Sequence, residues 1–406
     1  MRKFHISSHP RSRSAGLSLI ELMIAMTIGL LLVIGMIQIF GASRATYQMQ
    51  DGVARIQENG RFVTQFLQKR FRMGGFMGCG SDLERNRQLT FVNHLDTYAG
   101  NTVDDAHRFQ RPVEGFASSN VPATLLASGV ALLSGTDVLV LRTASVDSVP
   151  VLSVAQDSNH LILTASLGTD ATEIFSDSIG NAIPYFLENC RSSDVFVGTI
   201  TGTNLKVSGN LTPNVYLDPN VTTCGAGGCP WDFRISNAFL NAPSGGITPS
   251  GAGFSASSKQ LNAELHRAEF SMIYVARNAS SQPSLYVRQL RRDANQLADA
   301  EEIAEGVEAF KLLFGVDING DGQVDEYRTA ANVAAGAAGA MLDANWGQVL
   351  SVRVGMLLRS PEVAGSAKPA GGYTVLGSAI TTTPDDGHLR QVYETTIAVR
   401  NRVFTS

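Results

Sequence analysis

The chain has 406 residues, with 32 Lys and Arg against 36 Asp and Glu, a formal net charge of −4 and 44% hydrophobic residues. This length exceeds one typical domain, and the apolar content is ample for a packed core. The mildly acidic balance argues against a nucleic-acid-binding protein, which would present a basic face.

The first recognisable element is an apolar run near the N-terminus. From Leu17 to Phe40 the strongly polar side chains are Glu21 and Gln38. About 20 apolar residues are enough to cross a bilayer as a helix. Basic residues precede the run without any acidic residue (Arg2, Lys3, Arg11 and Arg13), so positive charge holds this end in the cytoplasm. We therefore predict a single pass through the inner membrane, with the rest of the chain in the periplasm.

The small residue Gly16 lies before the apolar run, whereas an ordinary secretory signal is cleaved after its apolar core. Cleavage between Gly16 and Leu17 would therefore leave the helix in the mature protein. The segment 16–21 resembles the class III leader of type IV pilins and pseudopilins, with Leu17 and Ser18 in place of the usual Phe and Thr. The alternative is a plain signal anchor with an acidic residue near its end.

Glu21 is the candidate assembly residue. A carboxylate in a membrane helix is costly unless it has a partner. Cleavage creates an α-amino group at Leu17, and residues i and i+4 of a helix lie within reach of each other. The pilin resemblance implies that Glu21 neutralises the amine of a neighbouring subunit during docking, and that the prepilin peptidase N-methylates this amine.

The helix is predicted to continue well beyond the membrane. Apolar residues and one glycine keep the spacing of a single helical face at Met49, Val53, Ile56, Gly60, Val63, Leu67 and Phe71. No proline interrupts the chain from Leu17 to Met73, and Gly74 and Gly75 predict the stop. The expected organisation is a leader (1–16), a transmembrane or filament-core helix (17–43), its amphipathic continuation (44–73) and a β-rich head with long loops (74–406).

The head is predicted from short runs rich in Val, Ile, Leu, Thr and Tyr, separated by turn residues. The predicted strands are Asp137–Arg142, Val149–Val154, His160–Ala165, Asp194–Thr199, Phe270–Ala276, Leu285–Gln289, Phe310–Val316, Gln348–Leu358 and Val392–Asn401. We expect a helical turn at Glu301–Glu308, surface loops at Asn241–Ser258, Ala334–Ala340 and Pro361–Tyr373, and a large insertion at about 145–260. The fold class is thus α+β, a long apolar helical spine packed on a β-rich head.

One acidic segment has the pattern of a calcium loop. Side-chain oxygens at positions 1, 3, 5 and 9, glycine at position 6 and a backbone carbonyl at position 7 match the first nine positions of an EF-hand loop. The residues are Asp317, Asn319, Asp321, Gln323 and Asp325. Position 12 is Arg328 rather than Glu, and no helices flank the segment. The alternative is a hairpin loop, because Asn-Gly and Asp-Gly are good turn formers.

The four cysteines, Cys79, Cys190, Cys224 and Cys229, all follow the membrane helix. An even count in an oxidising compartment predicts disulfides, and we favour Cys224–Cys229 and Cys79–Cys190 among the three possible pairings. A zinc site is the alternative, although no histidine lies at ligand spacing beside them. The sequence contains no nucleophile elbow, metalloprotease motif or phosphate loop, so no catalytic residue and no enzymatic activity are predicted.

Three further segments resemble the PilW family of type IV pilus minor pilins. They are 57–79, 306–310 with the acidic loop that follows, and 395–402. The resemblance implies a structural protein that joins other minor pilins and the major pilin, primes pilus assembly at the inner membrane, and stays near the tip beneath a large tip adhesin. The partners implied are thus these pilins, the prepilin peptidase, the inner membrane and the tip adhesin.

Two other functions are compatible with the same residues. One is the minor pseudopilin of a type II secretion system, which shares the leader. The other is a membrane-anchored periplasmic enzyme or sugar-binding adhesin, which would need a concave site with converging polar groups.

Overall fold

The spine is one unbroken helix. The computed structural model describes residues 18–78, 90–93, 105–126, 130–156, 160–165, 182–188, 192–201, 206–210, 263–291, 297–363, 372–382 and 386–399. Helix α1 spans Leu19–Met73, and its 55 residues extend about 83 Å at 1.5 Å per residue. Ser18 caps its N-terminus, and Gly74 ends it by donating its backbone N–H to the carbonyls of Arg70 and Phe71. The predicted continuous spine is confirmed.

The head that follows is built mainly of strands. The described strands are β1 (Thr90–Asn93), β2 (Val113–Ala117), β3 (Asp137–Gln156), β4 (His160–Ala165), β5 (Ala182–Glu188), β6 (Ser192–Thr201), β7 (Lys206–Asn210), β8 (Ala263–Arg277), β9 (Pro283–Gln289), β10 (Glu301–Glu305), β11 (Val307–Val316), β12 (Glu326–Arg328), β13 (Val349–Arg359), β14 (Tyr373–Val375), β15 (Ser378–Ile380) and β16 (Arg390–Ala398). Two short helices, α2 (Ala330–Ala334) and α3 (Ala340–Gly347), and two 3₁₀ turns (Asp105–His107 and Ala123–Leu125) accompany them. The α+β class is confirmed.

Two main sheets form the part of the head that the structure describes. The larger one has ten strands in the order β10-β9-β8-β5-β6-β7-β4-β3-β2, with β1 paired in parallel to β6. Strand β3 also pairs with β8, so β3, β8, β5, β6, β7 and β4 form a closed circuit of neighbours. The second sheet is antiparallel, in the order β12-β11-β13-β16, and β14 and β15 form a separate hairpin.

Two details of the predicted strand pattern are wrong. The separate strands predicted at 137–142 and 149–154 are parts of the single strand β3, whose register with β8 shifts between Ala144 and Ser148. The helical turn predicted at Glu301–Glu308 is instead strand β10, a turn at Gly306, and the start of β11. Pairing with β9 overrides the helical propensity of the Glu and Ala residues there.

The second half of α1 packs into the core between the two sheets. Its buried residues are Gly52, Ile56, Gly60, Val63, Leu67 and Phe71. Val63, Leu67 and Phe71 are fully buried among apolar residues of both sheets, such as Leu139 of β3 and Phe310 of β11. The predicted buried face is therefore correct from Ile56 onward. Met49 and Val53 are exposed, so packing on the head begins at Gly52 rather than at Met49.

The chain is fastened to the larger sheet directly after α1. Gly75 has a φ of 75° and donates its N–H to the carbonyl of Arg142 at 2.9 Å. The hydroxyl of Thr143 donates to the carbonyl of Met73 at 2.5 Å, and the N–H of Ala144 donates to Phe76 at 2.6 Å. These bonds satisfy the last carbonyl of the spine, that of Met73, and join the residues after it to β3.

A buried ionic network fixes the segment before β2. Arg142 of β3 is fully buried and donates to the carboxylate of Glu114 at 2.8 Å and to the carbonyl of Arg111 at 2.7 Å. Arg111 in turn pairs with Glu114 at 2.8 Å and reaches Asp343 of α3. Burial lowers the pKa of Arg142, although Glu114 opposes this effect. Removing one member would leave a buried charge without its partner, which typically costs 3–5 kcal/mol.

Candidate functional site

The start of the spine is organised around Glu21. Its backbone N–H donates to the Oγ of Ser18 at 3.2 Å, and its Oε2 accepts from the backbone N–H of Ser18 at 3.1 Å. This reciprocal pair is a capping box, which satisfies donors that the first helical turn leaves without partners. The carboxylate of Glu21 is therefore held at the N-terminus of the helix, against Ser18.

The apolar half of α1 is not covered by the head. Its large side chains from Leu19 to Phe40 are each at least 45% exposed, and none of this half contributes to the core. These 22 residues rise about 33 Å, which matches the thickness of a bilayer hydrocarbon core. The helix is the one candidate membrane span among the described residues. Such a surface requires lipid or other apolar helices around it.

The acidic segment forms the loop of a hairpin between β11 and β12, whose register pairs Val316 with Glu326. The carboxylate of Asp317 accepts from the backbone N–H groups of Gly320 at 2.7 Å and Gly322 at 2.8 Å. That of Asp325 accepts from Ile318 at 2.7 Å. The hairpin is thus present, and no helices flank the loop in the described residues, as expected.

The other candidate calcium ligands lie in the same loop. Asn319 accepts from the N–H of Asp321 at 2.8 Å, and Asp321 accepts from the N–H of Gln323 at 2.8 Å. The side chains of Asp317, Asn319, Asp321 and Asp325 therefore lie around one turn and hold its backbone, and the fifth candidate, Gln323, lies in the same turn. Gly320 and Gly322, with φ of 76° and 85°, allow this turn. Calcium binding stays a prediction.

Several sequence predictions concern residues outside the described ranges. These residues are Gly16 and Leu17 at the predicted cleavage site, and Cys79, Cys190, Cys224 and Cys229. Gly78 is described and lies close to Glu188, because a Cβ on Gly78 would lie 2.7 Å from the Cγ of Glu188. The pairings Cys79–Cys190 and Cys224–Cys229 stay predictions.

Sequence reasoning missed how the spine docks on the head. A Cβ on Gly60 would lie 2.6 Å from Cε1 and 2.7 Å from Cε2 of Tyr393, so the glycine makes room for this ring of β16. The hydroxyl of Tyr393 also donates to the carbonyl of Ile56 at 3.4 Å. Glycine in the buried face of the predicted helix was the available signal. Its partner lies more than 300 positions away in the chain and could not be read from the pattern.

Strand β16 is also held by an ion pair cluster at its first residue. The guanidinium of Arg390 donates to Asp386 at 2.8 Å and 2.5 Å, and to Glu308 of β11 at 2.6 Å and 3.0 Å. Hydrogen bonding to Arg390 lowers the pKa of Asp386 to about 2. The cluster joins the start of β16 to β11 across the intervening strand β13.

Comparison with protein families gives two matches. The family described as type IV pilus-assembly protein W, PilW, matches residues 272–401. The prokaryotic N-terminal methylation motif matches residues 11–37. Searches of curated proteins and of solved structures found no match. The first match runs from within β8 to the end of β16, so it includes the whole four-stranded sheet and the acidic hairpin. The second contains Gly16, Leu17 and Glu21.

The long apolar helix, its glutamate and the match to the methylation motif make the chain similar to type IV pilins, in which such a helix precedes the head. Over residues 272–401 the chain is similar to the PilW family, and the two matches together support a PilW-like type IV pilin. The families found are structural components of pili rather than enzymes.

Proposed function

We propose that this protein is a minor pilin that takes part in priming type IV pilus assembly at the inner membrane and remains near the pilus tip. In this proposal the head lies in the periplasm before assembly and at the cell surface afterwards. The observation that supports it most is the uncovered apolar half of α1 with the Glu21 carboxylate at its first turn. A partnerless carboxylate is expensive among apolar helices, so this end of the spine favours a cationic partner.

The position of Glu21 suggests what that partner is. Its carboxylate already reaches the backbone N–H of Ser18, the residue next to Leu17. Cleavage after Gly16 would place a positive amine beside this carboxylate, either in the same chain or in the neighbouring spine. Neutralisation by the neighbouring subunit would couple processing to docking. The partners proposed are the other minor pilins, the major pilin, the prepilin peptidase and a tip adhesin.

The size of the head supports a place near the tip. Two sheets and their connections surround only the second half of the spine, from Gly52 onward. A subunit with a bulky head fits the end of a filament more easily than its repeating shaft. A place in a secretion pseudopilus would use the same spine, and the experiment separates the two.

Mass spectrometry of sheared, purified filaments tests the proposal. The wild type is expected to yield a peptide that begins with N-methylated Leu17. Glu21→Val and Glu21→Gln should both be cleaved and inserted, yet decrease about tenfold or more in the filament fraction, because neither carries the charge that the amine requires. Glu21→Gln retains an oxygen for the N–H of Ser18, so it separates the charge from the helix cap.

Gln38→Val is the matched control, since it also replaces a polar residue of the apolar helix by valine. It should enter filaments like the wild type. Incorporation of both Glu21 variants at the wild-type level would contradict the role of this residue. Processed protein confined to the membrane, with secretion lost and pili intact in the deletion strain, would favour the pseudopilin instead.

A further inference from the structure

A cluster of three metal-ligating side chains lies in the larger sheet, far from the acidic hairpin in sequence. Glu264 and His266 are two residues apart on β8, and alternate residues of a strand face the same side. Glu188 ends β5 and is the direct partner of Glu264 in the antiparallel register. Ligand atoms of these three residues all lie within 4.8 Å of one another.

The imidazole of His266 is arranged as a metal ligand. It is 2% exposed, and its Nδ1 lies 2.8 Å from the carbonyl oxygen of Ser145. A carbonyl can only accept, so Nδ1 carries the proton and the neutral ring has its lone pair on Nε2. This Nε2 is buried and makes no hydrogen bond. Metal-bound histidines characteristically donate their second ring nitrogen to such an oxygen.

The distances around Nε2 fit ligands of one ion better than hydrogen bonds. Nε2 lies 3.7 Å from Oε1 of Glu188 and 3.8 Å from Oε2 of Glu264, too far for hydrogen bonding. Two ligands of a tetrahedral zinc ion with bonds of about 2.0–2.1 Å lie roughly 3.3 Å apart. Side-chain movements on the order of half an ångström would therefore bring each carboxylate to ligand spacing from Nε2.

The carboxylates also favour a cation between them. Glu188 is 1% exposed, and like charges directly opposite each other in an antiparallel pair are destabilising. The hydroxyl of Ser148 donates to Oε2 of Glu264 at 2.8 Å and orients it. The side chain of Glu188 fits because residue 78 is a glycine, since a Cβ on Gly78 would overlap the Glu188 carboxyl group.

From this arrangement we propose that Glu188, Glu264 and His266 bind a divalent transition-metal ion, of which Zn²⁺ fits best. One imidazole and two carboxylates suit zinc, whereas calcium and magnesium prefer oxygen ligands alone. The side chain of Glu264 is 54% exposed, which gives the ion a way in and leaves a fourth position for water. The ion would brace β5 and β8 close to Gly78, where the chain has just left the spine.

Equilibrium dialysis of the detergent-solubilised full-length protein against Zn²⁺ tests this site. The protein is purified without reductant and treated with iodoacetamide, so that no free thiol can bind the metal. We expect one zinc per wild-type chain and no displacement by equal concentrations of Ca²⁺ or Mg²⁺. Bound Co²⁺ should give the visible absorption of a four-coordinate site with nitrogen and oxygen ligands and without a thiolate band.

His266→Gln and Glu264→Gln should each weaken zinc binding at least about tenfold, since loss of a direct ligand exceeds the 10–100-fold effect of a supporting residue. Because the side chain of Glu264 is exposed, Glu264→Gln should fold, and its zinc affinity tests the site even when His266→Gln does not fold. His388→Gln is the matched control, because His388 also places Nδ1 2.7 Å from a backbone carbonyl, that of Ser360. It should bind like the wild type.

Absence of stoichiometric zinc in the wild type would overturn the proposal. Equal affinity in the wild type, His266→Gln and Glu264→Gln would overturn it as well. Neither result bears on Glu21 or on filament membership, so the site stands or falls independently of the proposed function.

Discussion

The contact between Gly60 and Tyr393 predicts that the effect of Gly60→Ala on the free energy of unfolding depends on the residue at position 393. In an open helix, Gly→Ala stabilises by about 1 kcal/mol. In this protein the added methyl group would lie 2.6 Å from Cε1 of Tyr393, and such overpacking typically costs about 1–3 kcal/mol. Gly60→Ala should therefore leave the free energy of unfolding unchanged or lower it by up to about 2 kcal/mol.

The same substitution in a Tyr393→Ala background should be stabilising by about 1 kcal/mol, because only the helix propensity remains. The double-mutant cycle thus predicts a coupling free energy of about 1–3 kcal/mol between positions 60 and 393. Urea unfolding of the detergent-solubilised full-length protein, followed by far-ultraviolet circular dichroism, measures the four free energies under identical conditions.

Gly41→Ala is the control for this cycle. A Cβ at Gly41 has nothing within 4 Å, and the residue lies in the part of α1 that the head does not cover. It adds helix propensity without any new contact, so it should leave the free energy of unfolding unchanged or raise it by up to about 1 kcal/mol. A coupling below about 0.5 kcal/mol, or stabilisation by Gly60→Ala in both backgrounds, would refute the close docking of Tyr393 on the spine.

Two further predictions concern the second sheet. Hydrogen bonding to Arg390 lowers the pKa of Asp386 to about 2. The ionised Asp386 therefore contributes fully to the stability of the folded protein above the pKa of an unfolded Asp, near 3.9, and this contribution is lost as the pH falls towards 2. The pKa shift sets an upper bound of ~2.5 kcal/mol on this contribution, and solvent screening reduces it to ~1 kcal/mol. Asp386→Asn should therefore make the free energy of unfolding depend less on pH between pH 4 and 2. The same pH dependence in the variant and the wild type would contradict this prediction. For the acidic hairpin, 10 mM Ca²⁺ should stabilise the wild type against urea by about 2 kcal/mol relative to EGTA if the site binds as weakly as extracellular modules do. Asp321→Asn, which still accepts from the N–H of Gln323, should remove that response, and equal stability of the wild type with and without calcium would exclude the site.

Local patterns gave reliable predictions where neighbouring residues decide the structure. The spine needs only apolar residues at helical spacing, no proline, and two glycines at its end, all of which lie within one segment. The hairpin around Asp317 likewise follows from its own turn residues. Segment 301–308 was misread because its composition favours a helix, whereas pairing with β9, which lies outside that segment, makes it a strand.

The sequence alone thus determined the apolar spine, the place of Glu21 at its start, the β-rich head and the acidic turn, because each depends on residues close together in the chain. Only the tertiary structure showed that the ring of Tyr393 packs on Gly60. It also showed that Glu188 lies beside Glu264 and His266. Those pairs are separated by tens to hundreds of positions, and strand register and helix docking bring them together. The sequence shows that such side chains exist, and the packing of the whole head decides which of them meet.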